Sequence, residues 1–270
     1  MKIPVMCRSG LRLALLVCPL LIAGSGCGHK ETPPPEIEIV KMDSKPDFWS
    51  GSNSFPPLKK ESIEAFLISR SEITQAQYEA VMGENPSVGD HGPALPVQNV
   101  TWMKAATFCN KLSKRLGLQP CYDESKGFAC DRRKSGFRLP YSHEWEYACR
   151  GDATTPYFWG PDRNDQFCVP PLTPEELKKV TSKINHSFAK PVKSKRPNPF
   201  GLYDMVGNVS EWCQDVVQDN ADWRVYRGGS WEDHNWEAFQ SKWSSGMPRD
   251  QRLPTVGFRV VRKPTVENSR

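Results

Sequence analysis

The segment 227–240, RGGSWEDHNWEAFQ, contains the densest group of side chains that could take part in chemistry. Asp233 and His234 are neighbours, and a carboxylate beside an imidazole can transfer protons. Glu232 and Glu237 add two carboxylates nearby. Solvation of a polar loop explains the same residues without any chemistry, and we favour that interpretation. The segment is a weak candidate for acid–base work.

The rest of the chain offers few other reactive patterns. Its histidines are scattered: His29, His91, His143, His186 and His234. No phosphate-binding loop, nucleophile elbow or Ser-His-Asp order is recognisable. The net charge is +5, and three of the positive charges (Lys2, Arg8 and Arg12) precede residue 27, which leaves +2 for the remainder. So small a charge argues against a nucleic-acid partner.

The N-terminus has the pattern of an export signal. Three basic residues precede or border the apolar run LALLVCPLLIA at 13–23, which is too short to span a membrane. Gly24, Ser25 and Gly26 then lead to Cys27. We therefore expect a signal peptide over residues 1–26.

Small residues directly before a cysteine resemble the bacterial lipobox, in which that cysteine is lipidated. We favour lipidation of Cys27, because the polar, Pro-rich tether 27–36 follows at once and would lift a domain off a membrane. Gly24 replaces the large aliphatic residue usual at that position, so simple cleavage without lipid is the alternative. Gly28, rather than Asp, favours the outer membrane if the cell has one.

Six of the nine cysteines remain after the signal and Cys27 are set aside: Cys109, Cys121, Cys130, Cys149, Cys168 and Cys213. An even number in an exported domain fits disulfides. Cys121 and Cys130 flank a short polar segment that can turn back on itself, and they are our candidate pair. Free buried thiols are the alternative for the others, and the spacing does not suit zinc.

Local patterns predict a mixture of short elements. EIEIVK from Ile37 predicts an edge strand, 63–69 a second strand, and FWSGSNS and FPPLKK turns. Three helices are predicted, each ending at a glycine. The first begins at the Thr74–Gln77 capping box; the second begins near Thr101 with Ala105, Cys109, Leu112 and Leu116 on one face; the third covers 142–150 with Trp145, Ala148 and Cys149 inward. LTPEELKKV predicts one surface helical turn, and the last seventy residues short strands and loops. The fold class is α+β with much irregular chain.

Several longer blocks match one family in order. They are FLISRSEITQAQYEAVMGENPS, PVQNVTWMKAATFCNKLSKRLGL, GFRLPYSHEWEYACRG, NPFGLYDMVGNVSEWCQD, RGGSW and GFRVVR. Together they resemble the formylglycine-generating-enzyme, or sulfatase-modifying factor, family. The resemblance implies a C-type-lectin-like fold. It places the domain at 37–263, followed by the tail 264–270.

The family's founding activity oxidises a sulfatase cysteine to formylglycine with oxygen and copper(I). The resemblance implies two copper-binding cysteines after the GGS turn, and here Asp233 and Ala238 occupy those positions. Copper(I) needs soft thiolate ligands, so copper and formylglycine generation are not expected.

The resemblance also implies a structural calcium ion in the GLYDMVGNVSEW block. Its ligands would be side-chain oxygens of Asp204 and Glu211 with the carbonyls of Gly207 and Val209, a set of hard oxygen donors. The alternative is that Asp204 caps a turn and Glu211 pairs with a surface arginine. A second family calcium site, between 160 and 195, has no recognisable ligands here.

Two functions remain open. We favour a non-catalytic binding or scaffold protein of the cell envelope, held to the membrane by its lipid anchor. Its unknown protein or glycan ligand would meet a surface formed by Trp231, Asp233, His234, Trp236, Trp243 and Phe239. The alternative is that about half of these aromatic residues belong to the core. The alternative is a divergent oxidoreductase-like enzyme that uses Glu232, Asp233 and Glu237. Whether the protein is an enzyme is thus left open.

Overall fold

The computed structural model describes residues 33, 35–51, 58–170, 172–173, 175–176, 178, 188–218, 220–233 and 235–265. The predicted signal peptide, Cys27, most of the tether and His234 lie outside the described residues, so these predictions stay open. In LTPEELKKV, the described residues Glu175, Glu176 and Lys178 are helical and exposed, in line with the predicted surface helical turn. All described residues belong to one unit, Pro33–Arg270. Within this part of the chain, no helix is long and apolar enough to cross a membrane.

The described residues include three helices of eight or more residues, which are α1 (Gln75–Met82), α2 (Trp102–Arg115) and α3 (Ser142–Arg150). All three predictions are confirmed. Thr74 and Gln77 form both halves of the capping box of α1, and Gly83 ends that helix in the left-handed conformation. These helices could be predicted from the sequence because local residues mark where they begin and end.

One detail of the predicted helices is wrong. Leu116 is 41% exposed, because α2 ends one residue earlier and Leu116 serves as its C-cap. Ser142, the first residue of α3, accepts a hydrogen bond from Arg227 Nε at 2.7 Å and does not cap the helix. The cap position belongs to Tyr141, whose N–H donates to Glu144 at 2.8 Å.

The strands form two four-stranded sheets and two hairpins. The strands are β1 (Ile39–Met42), β2 (Lys45–Ser50), β3 (Lys59–Ile63), β4 (Phe66–Ser69), β5 (Tyr122–Asp123), β6 (Ala129–Cys130), β7 (Phe137–Arg138), β8 (Ser210–Val217), β9 (Asn220–Arg227), β10 (Ser244–Pro248), β11 (Val256–Gly257) and β12 (Val261–Arg262). One sheet has the order β1-β4-β12-β7 and the other β10-β9-β8-β11. The expected edge strand β1 and the α+β class with much irregular chain are confirmed.

The turns expected around FWSGSNS and FPPLKK are wrong where the structure describes them. Lys45–Ser50 and Lys59–Ile63 pair as an antiparallel hairpin, β2–β3. Phe48 and Ile63 are buried in the core, so tertiary packing outweighs the turn-forming residues of the sequence.

All six cysteines of the described domain have free thiols in the structure. The segment between Cys121 and Cys130 does turn back as the β5–β6 hairpin. In its register Cys130 is opposite Tyr122, and Asp131 N donates to Cys121 O at 2.9 Å. The predicted Cys121–Cys130 disulfide is not formed in the structure.

Candidate functional site

Three arginine–carboxylate pairs are buried in the domain interior. Glu144 of α3 receives two hydrogen bonds from Arg138, at 2.6 and 2.7 Å. Burial alone would raise the pKa of Glu144, but the charge and hydrogen bonds of Arg138 bring it below its ordinary value. Arg138 therefore holds the Glu144 carboxylate, in the first turn of α3, in its charged form.

A second pair joins α3 to β9. Glu146 lies 3.1 Å from Arg227, and neither side chain has exposed surface. Arg150, one turn further along α3, donates to the same carboxylate at 2.7 Å. These contacts fix α3 beneath the end of β9, from which the candidate segment leaves.

The third pair lies in the block predicted to bind calcium. Arg259 donates to both oxygens of Glu211, at 2.6 and 2.7 Å, and the indole N–H of Trp145 donates to Glu211 at 2.6 Å. Glu211 therefore pairs with an arginine, as the alternative interpretation of the sequence held, although this arginine is buried rather than at the surface.

Two more buried carboxyl groups adjoin this third pair. Glu72 accepts hydrogen bonds from Asn208 Nδ2 at 2.7 Å and Val209 N at 3.1 Å. Asp204 accepts one from Lys193 N at 2.7 Å, and its Oδ1 has no hydrogen-bond partner among the described residues. Burial raises the pKa of Asp204 to about 6, and burial with the charges of Asp204 and Glu211 raises the pKa of Glu72.

These contacts test the fit of the predicted calcium ligands. Glu211 is committed to Arg259 and Trp145, so it has little capacity left for a hard cation. Asp204 has one free oxygen. The described residues contain no group of three or more His, Cys, Asp or Glu side chains placed to hold a metal. The arrangement does not fit an ion bound between Asp204 and Glu211, and calcium binding stays an untested prediction.

The candidate segment follows β9 through a tight turn at Gly228 and Gly229, both with positive φ. Asp233 accepts hydrogen bonds from Ser230 N at 2.6 Å and Ser230 Oγ at 2.8 Å, so its carboxylate stabilises this turn. Ala238 is 5% exposed within the 3₁₀ helix Trp236–Phe239. Both positions implied for copper-binding cysteines therefore contribute to local structure.

The predicted binding surface is only partly exposed. Trp231 is 2% exposed and packs with Ala189 and Val209, and Phe239 is fully buried. Both were candidates for the exposed surface, but they fill the core beneath the segment, which is what the alternative expected of about half of these aromatic residues. Trp243 is half-buried and contacts Tyr226 edge-on, with ring centroids 6.1 Å apart.

Trp236 lies at an open cleft of about 690 Å³. The 3₁₀ helix forms one wall, and the chain from Tyr157 to Arg163 forms the other. Tyr157 Oη donates to Trp236 O at 2.9 Å, their rings meet edge-on at 5.9 Å, and the Arg163 guanidinium lies 5.5 Å from the Trp236 ring centre. Sequence reasoning missed Tyr157 and Arg163, because no local pattern joins them to a segment more than seventy residues later.

Comparison with known protein families gives one match that spans nearly the whole described chain. Residues 39–264 match the family described as the Sulfatase-modifying factor enzyme 1-like domain. The match covers all the elements that build the interior ion pairs and the cleft.

Individual proteins show the same relationship. Chaperone protein LppX of Paenibacillus barcinonensis is 32% identical over 234 residues, which cover 76% of this chain and 82% of that protein. Inactive C-alpha-formylglycine-generating enzyme 2 of Bos taurus is 32% identical over 151 residues, 52% of this chain and just under half (47%) of that protein. Among solved structures, Treponema denticola variable protein 1 superposes with a TM-score of 0.70 at 28% identity, covering 84% of this chain and 95% of its own.

Proposed function

Because the chain belongs to the sulfatase-modifying factor family but lacks cysteine at both implied copper positions, we propose that it is a non-catalytic binding domain of the cell envelope. The observation that carries the proposal is that both positions implied for copper ligands have a structural role here. Asp233 holds a turn through Ser230, and Ala238 is buried. Neither residue offers a soft ligand to copper(I).

Other thiols of the domain do not replace the missing pair. Cys149 and Cys168 are buried, and burial raises the pKa of each to about 12. A thiol with so high a pKa is protonated at neutral pH until a metal displaces its proton, so neither cysteine is a preformed copper ligand. These observations support a fold retained without the chemistry of the founding activity.

The carboxylates of the alternative enzyme also do not form a catalytic group. The Asp233 carboxylate is occupied by Ser230, whereas Glu232 and Glu237 are exposed. General acid–base catalysis needs a positioned group close to the reacting proton. This arrangement favours binding over the divergent oxidoreductase-like enzyme.

The named relatives support binding without catalysis. One similar protein bears the name of a chaperone and another is named an inactive enzyme of the family. A chaperone binds another polypeptide, so client binding is a second candidate function for this chain. The aromatic cleft beside Trp236 is the place where we expect a ligand of either kind.

An assay for formylglycine generation tests the proposal. We would supply the full chain, purified in mild detergent, with copper(I), oxygen and a peptide containing Cys-x-Pro-x-Arg, and measure its conversion by mass spectrometry. We expect no conversion above a copper-only control, while a cysteine-containing family enzyme converts the peptide in parallel. Conversion by this chain would overturn the proposal.

Export and anchoring are the second part of the proposal. The apolar run before Cys27 and the Pro-rich tether after it support a lipid-anchored protein outside the cytoplasm. We expect radiolabelled palmitate to label the wild type and His29→Ala but not Cys27→Ala, which should leave the membrane fraction. Label that persists in Cys27→Ala would show that lipid is not attached there.

A further inference from the structure

The cleft beside Trp236 presents two hydrogen-bond donor groups that have no acceptor among the described residues. The Arg163 guanidinium lies over the Trp236 ring, 5.5 Å from its centre, and makes no ion pair or hydrogen bond with the described residues. Asn235 Oδ1 accepts from Glu237 N at 2.9 Å and Ala238 N at 3.2 Å, which fixes the amide group. Its Nδ2 has no acceptor in the described part of the chain. Arg163 and Asn235 both line the cleft, so two donor groups are available to a ligand there.

Acceptors lie beside these donors. Asp162 and Glu237 line the same cleft, are exposed, and form no ion pair with the residues that the structure describes. The cleft thus combines two carboxylates with one guanidinium. Two carboxylates would repel a polyanion, while Arg163 would repel a polycation. This balance favours an uncharged ligand.

A ligand hydroxyl matches such a mixture because it donates one hydrogen bond and accepts others. Several hydroxyls on one ring would use donors and acceptors together, which a ligand with carbonyl oxygens alone could not do. Tyr157 and Trp236 supply apolar ring surface for the C–H groups of the same ligand. A volume of about 690 Å³ is within the usual range for a small-molecule site.

An extended peptide fits the walls less well. Extended peptides commonly add a strand to a sheet edge. Here the lining comes from the 3₁₀ helix Trp236–Phe239, its flanking residues and the loop that contains Asp162 and Arg163. None of these lining residues belongs to a strand.

We propose that the cleft binds an uncharged oligosaccharide, with Arg163 and Asn235 as donors, Asp162 and Glu237 as acceptors, and Trp236 as the apolar contact. This inference rests on the proposed binding function and names the ligand class of that site.

The test uses isothermal titration calorimetry of the full chain in mild detergent with chitohexaose, cellohexaose, maltohexaose and mannohexaose. We expect at least one of the four to bind. Glu237→Gln and Arg163→Ala should each weaken that binding by about tenfold, which corresponds to about 1.4 kcal/mol. Both side chains are exposed, so the variants should fold, as circular dichroism would verify. Trp223→Ala, at an exposed tryptophan of β9, is the matched control for Trp236→Ala and should bind as the wild type does.

Failure of all four saccharides, or unchanged affinity in Glu237→Gln, Arg163→Ala and Trp236→Ala together, would overturn this inference. The proposed function would survive that result if the formylglycine assay is also negative. Formylglycine formation would instead overturn the proposed function whatever the saccharides do. Capture of a polypeptide at Trp236 without saccharide binding would overturn the ligand class and support the client-binding alternative.

Discussion

Around Arg259 the charged side chains are buried and hydrogen-bonded, whereas around Arg163 they are exposed and have no ionic partner among the described residues. Arg259 donates hydrogen bonds to Glu211 and to the carbonyls of Ser69 and Tyr203. It thereby connects β8 to the end of β4 and to the loop that precedes β8. Arg163 lies over the face of Trp236 and forms no ion pair with the described residues. We expect substitutions in the first region to destabilise the fold, and substitutions in the second region to leave the free energy of unfolding nearly unchanged. Ligand specificity is therefore expected in the second region.

Replacing each of the two arginines by methionine tests this difference between the regions most directly. Arg259→Met would leave Glu211 buried without its cation, and we expect a loss of about 3–5 kcal/mol in the free energy of unfolding or failure to fold. Arg163→Met should change that free energy by less than about 0.5 kcal/mol. Urea denaturation followed by fluorescence measures both. Equal losses would show that the cleft, too, is part of the stabilising framework.

An alanine substitution at Gly207 tests how tightly Gly207 is packed against the Val169 backbone. A Cβ on Gly207 would lie 2.2 Å from Val169 O, and its φ is +78°; Gly83 has a similar φ of +79° but open space around it. Both alanine variants carry the same conformational strain, so their difference isolates the steric clash. We expect Gly207→Ala to be about 1–3 kcal/mol more destabilising than Gly83→Ala. Similar melting temperatures would mean that the Val169 backbone moves easily.

Sequence reasoning succeeded where the information is local. Thr74, Gln77 and Gly83 lie within ten residues of one another, and together they define α1. It failed for β2–β3, where Gly and Pro signals pointed to turns but burial of Phe48 decided the structure. It also placed Trp231 at the surface, because an aromatic residue in a polar segment has no local sign of burial.

The candidate site was predicted only in part for the same reason. Trp236 was identified from its own segment, but the opposite wall of the cleft comes from a region with no recognisable pattern. The Glu211–Arg259 pair joins residues 48 positions apart, and only the fold brings them together. Contacts made across such separations are set by topology and not by spacing.

The titration of Asp204 gives a smaller effect within the buried region. Burial raises its pKa to about 6 from an ordinary 3.8. A carboxyl group with a raised folded-state pKa stabilises the fold below its unfolded pKa, and this contribution is lost as pH rises through about 6. We expect the wild type to be less stable at pH 8 than at pH 5.

Asp204→Asn should lessen this pH dependence and raise stability at pH 8. Asparagine tolerates the positive φ of this position, and its side-chain oxygen can still accept from Lys193 N. Thermal melts at both pH values measure the effect, with Asp222→Asn, at an exposed side chain, as the control. A pH profile that Asp204→Asn leaves unchanged would assign the titration to other groups.

Of the predicted effects on stability, we expect that of added calcium to be the smallest. An ion at the predicted ligands would have to share Glu211 with Arg259, whose two hydrogen bonds already occupy both carboxylate oxygens. We therefore expect millimolar calcium at pH 8 to leave the melting temperature unchanged against a magnesium control. A rise that Asp204→Asn abolishes would instead confirm the calcium prediction. It would also mean that the free oxygen of Asp204 accepts a cation, so that the buried region is completed by an ion and not by a proton.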